Sequence, residues 1–200
     1  MVELPYAIAL TGGIATGKST VANLLKLYGF HIIDADEVAH KLLDEQHEAI
    51  AKLFGKEYVQ DGKVLRKALG ALIFSDKSKK RELENLLHPL IRERIFDLAQ
   101  RQERFKVPYF IDIPLFYETK AYHISPVVVV YAPKELQLSR LQKRDNLTLQ
   151  EAQKRLDAQI DIEIKRKLCD YVIDNSKDLK HLQREIERFV DEIKERYAVG

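Results

Sequence analysis

One stretch near the start constrains this chain more than any other: Gly12-Gly13-Ile14-Ala15-Thr16-Gly17-Lys18-Ser19-Thr20. It fits G-x-x-x-x-G-K-[ST], a loop whose inward-facing N–H groups cradle phosphates. Gly12 and Gly17 are expected to take backbone conformations closed to residues with a Cβ. Lys18 supplies a point charge, and the Ser19 hydroxyl is a hard oxygen ligand for Mg²⁺. Such a loop needs a strand before it and a helix after it, whose positive dipole end points at the same anions. Tyr6-Ala-Ile-Ala-Leu10 reads as that strand. Val21, Ala22, Leu24, Leu25 and Tyr28 mark one face of the helix, with Gly29 to end it.

The rest of the chain repeats the theme of short apolar strands alternating with helices. His31–Asp34 reads as a second strand, followed by a helix through Val38, Ala39, Leu42 and Leu43. Asp34 or Asp36 at that junction either caps the helix or faces a transferred phosphoryl group, since open parallel sheets bind ligands beyond the carboxyl ends of their strands. Val107–Ile113 is a third strand. Asp112 near its end suits either a water-mediated Mg²⁺ contact or a cap. Val127–Tyr131 is the plainest buried strand, β-branched and bounded by prolines, and Tyr171–Asp174 is the fifth. A last helix capped by Asp178 carries Leu179, Leu182, Ile186, Phe189, Val190 and Ile193 on one face, before the tail Tyr197–Gly200.

Two segments break the alternation. Residues 46 to about 105 show no clear strand pattern. They read as a short helix closed by Gly55, a turn at Asp61-Gly62, and a helix over Leu65–Phe74. Two further helices follow, separated at His88-Pro89. This is more than a crossover requires and predicts an inserted helical subdomain. The second segment is basic: Arg140, Lys143, Arg144, Lys154, Arg155, Lys165, Arg166 and Lys167, with Arg144-Asp145-Asn146 read as a loop and Thr148-x-x-Glu151 as a capping box. A solvated face would look similar, but after a strand in a phosphate-loop protein the pattern predicts a lid closing over the triphosphate. Arg140, Arg144 and Arg155 are its candidates for neutralising charge on the transferred group.

Composition limits the alternatives. Two hundred residues with 46% hydrophobic content suit one domain with inserts. A net charge of +2 gives no reason to expect nucleic acid as a partner. Cys169 stands alone, so it predicts no internal disulfide and a reducing compartment. No basic leader or long apolar run is evident, which predicts neither a signal peptide nor a membrane span, and a cytoplasmic location. A GTP-operated switch would need Asp-x-x-Gly and Asn-Lys-x-Asp. Asp112 is instead followed by Ile-Pro-Leu, and Asn-Lys-x-Asp does not occur.

Several segments together resemble the dephospho-CoA kinases across nearly the whole chain. They are Leu10-Thr-Gly-Gly-Ile14, Gly17-Lys-Ser-Thr-Val-Ala22, Ile33-Asp-Ala-Asp36, Arg66-Lys-Ala-Leu69, Phe74-Ser, Leu87-His-Pro-Leu-Ile91, Arg144-Asp145 and Asp170-Tyr-Val-Ile-Asp-Asn-Ser176. The resemblance implies a three-layer α/β phosphate-loop fold with a five-stranded parallel sheet, a helical CoA-binding insert at about 40–105 and a basic lid at about 140–167. It implies transfer of phosphate from ATP to the ribose 3′-hydroxyl of dephospho-CoA, a related kinase for another small acceptor such as a nucleoside monophosphate being the alternative. By the same resemblance Asp36 is the base and Arg66 and His88 line the acceptor site. Arg155 is expected at the substrate, and Arg140 and Arg144 at ATP, with Gly12 to Thr20. Mg²⁺ would sit on Ser19, and on Asp112 through water. The molecule would be a monomer or small homo-oligomer. One position departs from the family pattern: Ala15 stands where its relatives usually carry glycine, which predicts negative φ or modest strain there.

Overall fold

The computed structural model describes residues 3–198. In chain order the elements begin with β1 (Ala7–Gly12), α1 (Lys18–Leu27), β2 (Ile32–Asp34), α2 (Ala35–Glu45) and α3 (His47–Phe54). A small hairpin, β3 (Val59–Gln60) and β4 (Lys63–Val64), leads to α4 (Arg66–Ser75) and the long α5 (Lys77–Glu103). Then come β5 (Tyr109–Asp112), α6 (Phe116–Thr119), β6 (Val127–Tyr131), α7 (Lys134–Asp145), α8 (Leu149–Asp157), α9 (Ile162–Leu168), β7 (Tyr171–Asp174) and α10 (Leu179–Arg196). The chain divides into two compact units: residues up to Ile33 with those from Ala99 on, and Asp34–Leu98.

The first unit carries the sheet, a five-stranded parallel layer in the order β2-β5-β1-β6-β7. β1 is central and all six of its residues are buried. Its neighbours read as uninterrupted apolar runs because both faces of the sheet are covered. On one face Ile8, Leu10, Phe110, Val128, Val130 and Ile173 meet Val21 and Leu25 of α1 and Leu182, Ile186, Phe189, Val190 and Ile193 of α10. Each large side chain sealed in this way contributes roughly 1.5–3 kcal/mol. The apolar stripe expected on α10 is therefore its buried face, except that Leu179 at its first position is exposed. Of the tail, Tyr197 packs on this core and stacks near Tyr6, while Val199 and Gly200 lie outside the described residues.

The second unit has its own core of Ile50, Phe54, Val64, Leu69, Leu83 and Leu87, with Leu72, Ile73 and Ile91 packed against it. One sequence expectation is sharpened here and another changes. Asp61-Gly62 is the turn of a hairpin, with φ of 50° and 71°, the left-handed pair that matches the twist of two antiparallel strands. The strands it joins are two residues each, too short to show a period. Second, Pro89 does not end a helix: α5 runs through it. The proline removes one hydrogen bond to Asn85, but Leu83, Leu87 and Ile91 continue one apolar stripe across it, and burial on both sides holds the helix together. Asp76 starts α5, its carboxylate accepting from the N–H groups of Ser78 and Lys79.

Candidate active site

The loop from Gly12 to Ser19 joins the carboxyl end of β1 to α1. Three of its residues are placed by space or by left-handed backbone. A Cβ on Gly12 would lie 2.8 Å from Oγ1 of Thr16 and 3.0 Å from the Val130 carbonyl. Gly12 is thus required for close approach, and not for an unusual φ as the motif alone suggested. Gly17 has φ 90°, and a Cβ there would also collide with the Asn175 amide. Ala15 has φ 59°. The departure seen in the sequence is therefore a real conformational one: alanine is held where glycine rests without penalty, at about 1 kcal/mol or more.

An anion site needs its carbonyls turned away, and three here are held by hydrogen bonds. The Gly12 carbonyl accepts from Lys165 Nζ at 3.0 Å. The Gly13 carbonyl accepts from the Thr16 hydroxyl at 2.9 Å and the Thr16 N–H at 3.3 Å. The Thr16 carbonyl accepts from Asn175 Nδ2 at 2.8 Å and from Arg140 at 3.5 Å. The Ile14 N–H donates to Gln159 Oε1 at 2.8 Å. What remains is a set of donors: the N–H groups of Ala15, Gly17, Lys18 and Ser19 have no hydrogen-bond partner among the described residues. They open the amino end of α1, which has no side-chain cap of its own. Unpaired N–H groups and a helix dipole make a site for phosphate oxygens.

Lys18 adds its ammonium to this set of donors. Its ammonium is paired with the carboxylate of Asp112 at the end of β5, whose side chain is 5% exposed. Ser19 and Thr20 are exposed. Arg140, on α7, reaches the loop and also donates to the Asn175 carbonyl at 3.0 Å. Arg144 and Arg155 share Asp145, at 2.8 and 2.7 Å. Arg144 and Asp145 close α7 and are not in a loop; Asn146 caps it in left-handed backbone. The Asp145 carboxyl is held below its usual range by the Arg144 hydrogen bonds and the Arg155 charge. The capping box at Thr148 and Glu151 is present and opens α8. Burial raises the Cys169 thiol above its ordinary value, as suits an unreactive cysteine.

The second unit holds the remaining candidates. Asp34 caps α2, accepting from the N–H groups of Asp36 and Glu37 at 2.9 and 3.1 Å. The cap at that junction is therefore Asp34. Asp36 is exposed and has no side-chain hydrogen bond or ion pair among the described residues. Arg66 pairs with Asp44 at 2.6 Å, and His88 is exposed on α5.

The sequence assigned no role at the loop to four residues that hold it, Gln159, Lys165, Asn175 and Glu118, nor to Gln137, which is buried beside Gly13 with its amide on the Ala132 carbonyl. Two carried a signal. Gln137 lies four residues before the buried Leu141, and Lys165 lies three after the buried Ile162. A polar side chain on the apolar face of a helix implies a buried partner.

The model of the dephospho-CoA kinase family matches residues 6–181. A dephospho-CoA kinase of Sulfurimonas denitrificans is 54% identical over 192 residues, 96% of this chain and 96% of the relative. One from Wolinella succinogenes is 46% identical over the full length of both. The structure of dephospho-CoA kinase from Campylobacter jejuni superposes with a TM-score of 0.74 at 37% identity, covering 96% of this chain and 98% of that one. Shikimate kinase from Acinetobacter baumannii, at 17% identity and a TM-score of 0.51, shares the fold. With the loop geometry and these likenesses in place, the chain belongs to the dephospho-CoA kinase family.

Proposed function

We propose that this protein transfers the γ-phosphoryl group of ATP to the ribose 3′-hydroxyl of dephospho-CoA, giving CoA and ADP. The observation that carries the reading is the set of N–H groups at Ala15, Gly17, Lys18 and Ser19 that have no partner among the described residues, in a loop whose Gly12, Gly13 and Thr16 carbonyls are held elsewhere. The family supplies the acceptor.

The chemistry asked of the chain is positioning and charge stabilisation. The acceptor oxygen bonds to the γ-phosphorus as the bond from that phosphorus to the bridging oxygen breaks, and ADP leaves with the electron pair. The hydroxyl proton passes to the Asp36 carboxylate, which stands exposed on the first turn after β2 and is not used as the cap. Lys18 and Arg140, with Arg144, stabilise the phosphoryl oxygens. Arg66, His88 and the surrounding helices at about 40–105 take the acceptor, with Arg155. Residues at about 140–167 act as the lid that keeps water from the transfer.

The donor set fits Mg²⁺. Ser19 and Asp112 offer hard oxygens, and among the described residues no group of three or more His, Cys, Asp or Glu side chains could cage a metal. Magnesium is commonly held by one or two protein oxygens together with substrate phosphates and water. Bound there, it would neutralise charge between the β- and γ-phosphates. No helix among the described residues is long and apolar enough to cross a membrane. The reading places the enzyme in the cytoplasm, as a monomer or small homo-oligomer.

The test is direct. Purified protein with Mg²⁺, ATP and dephospho-CoA should yield CoA, read as the mass gain of one phosphoryl group. No CoA, with a nucleoside monophosphate phosphorylated in its place, overturns the acceptor assignment.

A further inference from the structure

We infer that Lys165 and Glu118 are positioning residues for nucleotide binding: together they set the entry of the phosphate loop from outside it. Lys165 is fully buried on α9. Its ammonium makes two contacts, to Oε1 of Glu118 at 2.7 Å and to the Gly12 carbonyl at 3.0 Å. The same Glu118 oxygen accepts from the Ile160 N–H at 3.0 Å. One residue earlier, Gln159 accepts from the Ile14 N–H. The connection between α8 and α9 therefore grips the loop twice, once through Gln159 and once through the Glu118–Lys165 pair.

The geometry says what this does. A trans peptide points its C=O and the next N–H in opposite directions. Holding the Gly12 carbonyl toward Lys165 fixes the Gly12–Gly13 peptide plane and turns the Gly13 N–H the other way. Gln159 likewise fixes the plane between Gly13 and Ile14. The orientation of the donors that follow, from Ala15 to Ser19, is inherited from these two planes. The arrangement is unfavourable for stability alone. Other oxygen Oε2 of Glu118 is buried without a hydrogen bond, and a sealed ammonium must be desolvated. An apolar pair would fill the same space without that cost, so the pair's use is to place the Gly12 carbonyl.

The inference rests on the phosphate-transfer reading for its nucleotide, but its test needs no acceptor. Mg·ATP affinity is measured by calorimetry for wild type, Lys165→Met, Lys165→Arg and the double variant Glu118→Gln/Lys165→Met, alongside KM for ATP and for dephospho-CoA. Lys165→Met should weaken Mg·ATP binding about tenfold or more. The KM for dephospho-CoA should stay within about twofold, and Lys165→Arg should recover most of the ATP affinity. The double variant removes both charges, so no lone ion remains buried, and it should show the same ATP loss. It decides the matter if Lys165→Met alone does not fold. ATP affinity within about twofold of wild type in a folded variant overturns the inference, as does equal damage to both KM values. Failure of the double variant to fold overturns it as well, because the pair would then be a structural element. A wild-type enzyme that binds Mg·ATP but ignores dephospho-CoA refutes the acceptor assignment and leaves this comparison intact.

Discussion

Lys18 is paired with Asp112: the cation of the phosphate loop rests on the carboxylate at the end of the adjacent strand β5. Both side chains are largely withdrawn from water, so the pairing offsets part of the cost of burying each charge. Lys18→Ala removes the charge offered to the phosphates and the cation paired with Asp112. It should reduce kcat/KM for ATP by roughly 10³-fold and lower the melting temperature. Asp112→Asn keeps the shape and should lower kcat more than it changes ATP binding. Steady-state kinetics with calorimetric titration separates the two, and an active Lys18→Ala enzyme would remove the loop from the mechanism.

Asp34 and Asp36, two residues apart, have separate tasks. Asp34→Ala deletes a helix cap and should cost about 1 kcal/mol of stability. Asp36→Asn should leave the urea midpoint in place and reduce kcat by roughly 10²-fold or more, with ATP binding preserved. Nearly unchanged turnover in Asp36→Asn would end its role as base.

Ala15→Gly is expected to stabilise the protein. The left-handed backbone costs alanine about 1–2 kcal/mol, while the added freedom of glycine in the unfolded chain returns part of that difference. A net gain of about 0.5–1 kcal/mol should appear as a melting temperature higher by about 1–4 °C. ATP affinity should be no weaker than in wild type, because the N–H at this position is already in place.

Asp174 links the site to pH. Burial alone would raise its carboxyl, but hydrogen bonds from Ser176 and His181 outweigh this and hold it below the ordinary value. The folded state therefore favours the charged form. Its contribution is fully present above the unfolded pKa of about 3.9 and disappears as pH falls through the lower folded value. Urea melts of wild type and Asp174→Asn should differ at pH 6, and the difference should shrink as the pH is taken below about 3.9. A constant difference across that range would refute the assignment. Because Asn175 is the next residue, ATP affinity should weaken with the same substitution.

Much of this architecture was legible because local chemistry and tertiary structure agree. Val127–Tyr131 is a strand over the same five residues that the apolar run marked. Thr148 and Glu151 form the reciprocal cap that their spacing predicts. The phosphate loop is legible for the same reason, since its function is performed by backbone that only certain residues permit. Pro89 was misread because its local preference is overruled by an apolar stripe continuing on both sides of it. The residues that hold the loop were hidden for another reason. Glu118, Lys165 and Asn175 lie 106, 153 and 163 positions from Gly12 along the chain (118 − 12, 165 − 12 and 175 − 12), and no periodicity reports a contact at that separation.

β1, central and sealed on both faces, has a dynamic consequence for the site it leads into. Amides in such a strand exchange with solvent only when the whole unit opens, whereas peripheral helices open locally at lower free energy. The phosphate loop is thus anchored at its entry to a strand whose amides should be among the last to exchange. Heating should release the outer helices first, and the nucleotide cradle should keep its shape until the sheet itself gives way.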